Sequence, residues 1–279
     1  MPPPRVNRGR MNIPLEDGFT DVIAKAQRGL GLADSQLAEK SGVPLAALQR
    51  VKEGAVDTSI LEKIAPVLQL SSSALTRLAK GEYRPVVEPP PGLACFNTPF
   101  EDMTVNSYLV WDEKTRDAIV FDTGADATEL LHTIVVNGLQ VRSVLLTHTH
   151  GDHIFDLDRV VEKTKAQIFT PAREPLEDAT PFSAGTTFEC GSLRVSTFLT
   201  NGHSPGGTTF LVEGLLAPIA IVGDSLFAGS MGGAANAWNL ALTNNREKIL
   251  TLPSGTIICP GHGPLTTVEL ERTNNPFYA

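Results

Sequence analysis

Four prolines fall within the nine residues Arg84-Pro85-Val86-Val87-Glu88-Pro89-Pro90-Pro91-Gly92. Proline locks φ, lacks an N–H and clashes with a preceding helical turn, so neither a helix nor a central strand can run through this segment. It divides the 279-residue chain into two parts, each of which must find its own regular structure. Charge divides at the same place. Residues 1–85 carry 12 Lys and Arg against 9 Asp and Glu, while residues 86–279 carry 11 against 22, so the net charge of -8 hides a mildly basic part and a strongly acidic one. The expected organisation is a flexible tail over 1–14, a small helical domain over 15–83, a stiff linker over 84–92 and a larger domain over 93–279.

Hydrophobic periodicity changes across the linker. Before it, short amphipathic helices are punctuated by Gly31, Gly42, Gly54 and Gly81. Beyond it, short β-rich runs alternate with helical stretches, the pattern of an α/β layered domain. Strands are expected over 106–112, 118–122, 143–147, 166–169, 193–198, 208–212, 217–222 and 256–259. Helices are expected over 127–137, 154–163, 239–250 and 267–273.

Composition excludes some classes. The longest apolar run, 214–223, is far short of the roughly 18 to 20 residues that span a bilayer, so no membrane partner is expected. Met1-Pro2-Pro3-Pro4-Arg5 lacks the apolar core of an export signal, which makes the cytoplasm the expected location. Cys95, Cys190 and Cys259 are odd in number and widely spaced, and they read as reduced, buried residues rather than a disulfide or thiolate-metal framework.

Three of the six histidines fall in Thr147-His148-Thr149-His150-Gly151-Asp152-His153, directly after an aliphatic strand candidate. Histidines at i and i+2 on an extended segment point the same way, so both imidazoles can reach one cation. Once the chain turns at Gly151, Asp152 and His153 can face a second cation close by. Burying these groups without a cation would leave several desolvated polar side chains uncompensated. His203 and His262 lie on glycine-rich turns beyond strands, where backbone can approach a metal closely. Asp122 and Asp224 end apolar runs in the same fashion, at strand ends where layered α/β proteins build sites. His132 alone sits inside a helical pattern and reads as a plain helix residue.

The order Asp122-Thr123-Gly124, His148-x-His150-x-Asp152-His153, His203, Asp224 and His262 resembles the metallo-β-lactamase-fold hydrolases across about residues 92–275. Gly223-Asp224-Ser225-Leu226-Phe227-Ala228-Gly229 and Pro260-Gly261-His262-Gly263-Pro264, with the ending Arg272-x-x-Asn275-Pro276-Phe277, look most like the short glyoxalase II (hydroxyacylglutathione hydrolase) branch. The resemblance implies an αββα sandwich. His148, His150 and His203 would hold one divalent ion, Asp152, His153 and His262 a second, with Asp224 bridging both and Asp122 orienting the ligands from behind. A hydroxide shared by ions about 3.5 Å apart, oriented by Asp152, would attack a scissile carbonyl. His and Asp donors suit zinc, iron and manganese alike, with zinc the first expectation.

The bridging Asp224 argues against an antibiotic-hydrolysing enzyme, since the resemblance implies that true β-lactamases lack it. The substrate is less well marked. The branch's C-terminal helical domain with basic residues has no counterpart in the 17 residues after His262, and the loop 229–237 lacks the cation common there. A small-molecule thioester or ester is the expected substrate. An iron-dependent persulfide dioxygenase and a DNA-binding regulator with a ligand-sensing metallo domain are the alternatives. Phe227 and Trp238 either line a pocket or simply pack, and the acidic charge of this part disfavours a polyanion such as RNA.

Residues 20–82 resemble a phage-repressor-type helix-turn-helix. Helices are expected over 34–41 and 44–53, with Ala38 at the crossing and Gly42 at the turn, followed by 59–68 and 72–79. A recognition helix needs polar groups at its exposed start, yet Leu45, Ala46 and Ala47 stand there, and Asp34 would face phosphate with a negative charge. Arg50, Lys52, Arg5, Arg8 and Arg10 remain as possible backbone contacts. Sequence-specific DNA binding is therefore disfavoured, and the expectation is a contact unit, its apolar helix start packing on the larger domain or on a second subunit.

Overall fold

A computed structural model describes residues 13–279, so Arg5, Arg8 and Arg10 lie outside the described residues. The first part forms five helices: α1 (Phe19–Leu30), α2 (Asp34–Ser41), α3 (Leu45–Lys52), α4 (Thr58–Val67) and α5 (Ser72–Ala79). Val22, Ile23 and Ala26 recur at helical spacing along α1 and are buried. Gly31, at φ 64°, ends that helix by returning its N–H to the carbonyls of Gln27 and Arg28. Asp57 starts α4 by accepting from the N–H groups of Ser59 and Ile60. At the start of α3, Leu45 and Ala46 are exposed and Ala47 is buried. Asp34 accepts from Gln27 Nε2 at 2.9 Å and pairs with Lys52, so each of these charges has a partner within the helical unit.

Twelve strands follow, in two six-stranded sheets. The first sheet runs β1 (Leu93–Phe100), β2 (Met103–Trp111), β3 (Asp117–Phe121), β4 (Gln140–Leu145), β5 (Gln167–Pro171) and β6 (Thr180–Phe182), parallel from β3 onward. The second contains β7 (Thr187–Cys190), β8 (Leu193–Leu199), β9 (Thr208–Glu213), β10 (Ile219–Gly223), β11 (Ile257–Pro260) and β12 (Thr266–Thr267), in the spatial order 12-11-10-9-8-7. Tyr108, Phe121 and Leu145 from the first sheet meet Val195, Phe210 and Ile221 from the second in a shared core. Outside the first sheet lie α6 (Thr128–Val136), the single turn α7 (Gly151–Ile154) and α8 (Leu157–Thr164). Outside the second lie α9 (Trp238–Asn244), the wider turn Asn245–Ile249 that continues it, and α10 (Val268–Asn274). The layers are helix, sheet, sheet, helix.

The strands absent from the sequence reading are β1, β6, β7 and the two-residue β12. β6 is three residues long, carries Pro181 and stands at a sheet edge, where a missing N–H costs no ladder bond. The helix expected over 154–163 is in fact two. α7 begins at Gly151, directly after His150, so Asp152 and His153 sit on a helical turn. All three cysteines are free and buried.

The proline segment does not hold the two parts apart. Val87 packs against the core between the sheets. The cluster that joins α1 to α5 continues into Met231, Ala234, Trp238, Ala241, Leu242 and Phe277. Gly29 lies so close to Trp238 that a Cβ there would overlap the indole. The docking face is thus built by α1 and α5, against α9 and α10, and not by the apolar start of α3. Just before the linker, Tyr83 donates its hydroxyl to the fully buried carboxylate of Glu271. Glu271 also accepts from Thr266 Oγ1 at 2.7 Å, Gly229 N at 2.9 Å and Asn275 Nδ2 at 2.8 Å. Glu271→Ala strands these buried donors, at about 1 kcal/mol or more each. We expect a loss of about 3 kcal/mol, seen as a lower urea midpoint at unchanged slope.

Candidate metal centre

Strand ends deliver the side chains. The extended segment after β4 brings His148 and His150, and α7 brings Asp152 and His153. The loop after β8 brings His203, the end of β10 brings Asp224, and the turn after β11 brings His262. At that turn a Cβ on Gly261 would overlap the Asp224 carboxylate, so only glycine permits so close an approach.

Seven side chains form three overlapping groups whose ligand atoms lie within 4.8 Å of one another: His148, His150 and His203; His148, His153 and Asp224; Asp152, His153 and His262. Asp224 touches both sides. Its Oδ2 lies 3.3 Å from His203 Nε2 and 3.4 Å from His262 Nε2, and its Oδ1 lies 3.3 Å from His153 Nε2. Asp152 Oδ2 lies 3.2 Å from His262 Nε2 and 3.6 Å from His153 Nε2. His132, on α6, belongs to none of the groups.

Hydrogen bonds behind the ligands choose which nitrogen each ring presents. Asp122 accepts from Thr147 N and Thr147 Oγ1, each at 2.8 Å, and from His153 Nδ1 at 2.9 Å. Because Thr147 Oγ1 gives its proton to Asp122, it accepts from His148 Nδ1 at 2.9 Å. His203 Nδ1 donates to Gly233 O at 3.0 Å, and His262 Nδ1 to Thr104 O at 2.7 Å. With Nδ1 engaged behind them, four histidines turn Nε2 toward the centre, the nitrogen left to bind a metal. Asp122 itself sits at φ 52°, a left-handed conformation a non-glycine residue adopts at a cost of order 1 kcal/mol. The carboxylate that orders two ligands is thus held in a strained backbone.

The donors fit a cation. His148 Nε2, His153 Nε2 and Asp224 Oδ1 are buried without a hydrogen-bond partner. Each such atom costs roughly 1–3 kcal/mol if it stays unpaired. His150 Nδ1 and His203 Nε2 face each other at 3.0 Å, an approach that two lone pairs tolerate only with a proton or cation between or beside them. Without a cation, protons take its place. Burial opposes a charge on His153, yet Asp224 and Asp122 push its pKa up to about 10. His262 is likewise desolvated, but Asp224 and Asp152 push it up to about 11. Burial lowers His148 and His203, which stay neutral. Burial would also raise the Asp224 carboxyl, but His153 and His262 hold it well below the carboxylate range.

The profile of the Metallo-beta-lactamase superfamily matches residues 101–262. The chain belongs to this superfamily. Its members bind divalent metals, usually two, and the three overlapping groups above are the side chains here that could hold them. The sheets flanked by helices are the metallo-beta-lactamase fold. Among similar proteins, the probable metallo-hydrolase YqgX of Bacillus subtilis is 32% identical over 204 residues, 64% of this chain and 94% of that protein. A hydroxyacylglutathione hydrolase of Methylobacillus flagellatus is 29% identical over 166 residues, covering 58% of this chain and 63% of its own length. The crystal structure of BLEG-1 B3 metallo-beta-lactamase superposes with a TM-score of 0.57 at 28% identity, covering 66% of this chain and 99% of that one.

The two aromatic candidates separate. Phe227 is buried with its ring edge-on to His262, centroids 5.6 Å apart, so it packs beside the centre. Trp238 is occupied in the contact with α1, against Gly29 and 5.6 Å from Phe277. Several residues beside the centre escaped the sequence reading. Thr147, Thr104 and Gly233 set ring tautomers through atoms whose role depends on geometry alone. Glu16 reaches His262 from the segment before α1, Lys25 comes over the ring of Phe227 that packs on His262, and no local motif marks either.

Proposed function

We propose that the chain is a dinuclear metallohydrolase that cleaves a thioester or ester. The observation that carries this reading is Asp224, set between two complete ligand triads. His148, His150 and His203 would hold one ion and Asp152, His153 and His262 the other. Such ions supply a water of lowered pKa and polarise a carbonyl oxygen. Asp152, 13% exposed at its side chain, is the carboxylate of the set nearest solvent, suited to hold a proton of attacking water. Asp122, through His153 and Thr147, keeps the triads in register.

The thioester preference rests on the hydroxyacylglutathione hydrolase among the relatives. Recognition of glutathione itself finds little support. Among the described residues, the cation bonded to the loop after Asp224 is Lys25, and it is already paired with Asp17. A less anionic acyl thioester suits this centre better.

The test compares protein loaded with zinc or iron with chelated protein on a hydroxyacyl-glutathione thioester, an uncharged acyl thioester and a β-lactam, with oxygen uptake on glutathione persulfide in parallel. Metal-dependent thiol release, faster with the uncharged thioester, is expected. Oxygen uptake without thiol release would replace the hydrolase by a dioxygenase, and β-lactam turnover alone would make it a lactamase.

A further inference from the structure

The helical unit reaches the second ligand triad through the segment before α1. Glu16 Oε2 lies 4.0 Å from His262 Nδ1, on the side of the ring opposite the nitrogen that faces Asp152 and Asp224. The two main chains are in contact there, since a Cβ on Gly263 would be 3.2 Å from Glu16 N and 3.7 Å from Pro14 O.

A polar clamp holds the segment in place. Asp17, next to Glu16, is 8% exposed and accepts from Ser230 Oγ and from Lys25 Nζ. Lys25 also donates to Met231 O at 2.8 Å and stands 5.1 Å over the ring of Phe227, which packs on His262. Ser230 and Met231 belong to the loop whose Gly233 carbonyl orients His203. One loop therefore touches the helical unit on one side and the ligands on the other.

We propose that Glu16 is a positioning residue for the second metal position, acting through His262, so that the helical unit forms part of the centre's outer environment. This rests on the metallohydrolase reading of the triads. His262 Nδ1 donates to the Thr104 carbonyl, a neutral acceptor. The carboxylate of Glu16 behind the same nitrogen adds negative charge that makes Nε2 a stronger donor to a cation. Hydrogen-bonded partners behind a metal-ligating histidine typically change metal affinity 10–100-fold. Glu16 stands where Asp122 stands for His153, but at through-space rather than hydrogen-bonding distance, so the lower end of that range applies.

The test is zinc competition with a chromophoric chelator on the full chain, which reads affinity without turnover. Glu16→Gln, which keeps shape and loses charge, is expected to weaken one of two zinc sites about tenfold and leave the other within about twofold. Glu16→Asp is expected to restore part of the loss. In a His262→Ala background the remaining site is expected to be indifferent to Glu16→Gln. Unchanged affinities in Glu16→Gln would overturn the inference and leave the hydrolase reading standing, as would a tenfold loss that persists in the His262→Ala background. Wild-type protein that takes up no metal would overturn both.

Discussion

Asp224→Ala is expected to strip both metal positions and to reduce thioester hydrolysis at least about 10³-fold, the equivalent of the several kcal/mol that metal polarisation contributes to such a transition state. The size follows from geometry. Among the described residues Asp224 is the one carboxylate within 3.4 Å of His203, His153 and His262, so it faces both triads. Asp224→Asn keeps the shape and removes the charge, and it is expected to lose most of the metal as well. Metal analysis of the purified variants, beside kcat/KM with zinc in excess, checks this. A variant that kept one ion at full occupancy would show that Asp224 belongs to a single position.

Trp238→Ala carries the largest expected effect on stability. The indole is 6% exposed, packed beneath Gly29 and against Phe277, in the cluster that joins the helical unit to α9. Removing a buried tryptophan costs about 3–5 kcal/mol through lost burial and the cavity left behind. Gly29→Leu attacks the same contact by overfilling it. Both variants are expected to unfold at lower urea concentration than wild type. If the five helices were merely tethered, either change would leave the midpoint of the larger part unmoved.

The cluster of imidazoles and carboxylates that the structure brings together was legible in the sequence for a physical reason. Desolvated imidazoles and carboxylates tolerate such proximity only around a cation, so His148, His150, Asp152 and His153 betray a metal within six residues. Buried strands with branched side chains, such as Ala118–Phe121 and Ile219–Gly223, were equally plain. The strands that were missed are short or sit at sheet edges, where three-dimensional pairing outweighs a weak local pattern. For Trp238 the sequence left pocket and packing open, and the fold decides for packing, against Gly29 of α1 and Phe277.

The proline segment is where sequence and tertiary structure part company. The sequence by itself determined that no regular element crosses Arg84–Gly92, that helices precede it and layered strands follow, and that five histidines and three aspartates fall near strand ends, the pattern from which a metal centre is expected. Those conclusions depend on dihedral restriction, periodicity and residue chemistry, which act locally. Only the tertiary structure decided that the two sides share one hydrophobic cluster, that Asp17, Lys25 and Ser230 clamp them together, and that Glu16 comes to rest behind His262. Charge and apolar area can show that a surface needs a partner, but which partner lies within 4 Å depends on how the whole chain closes on itself.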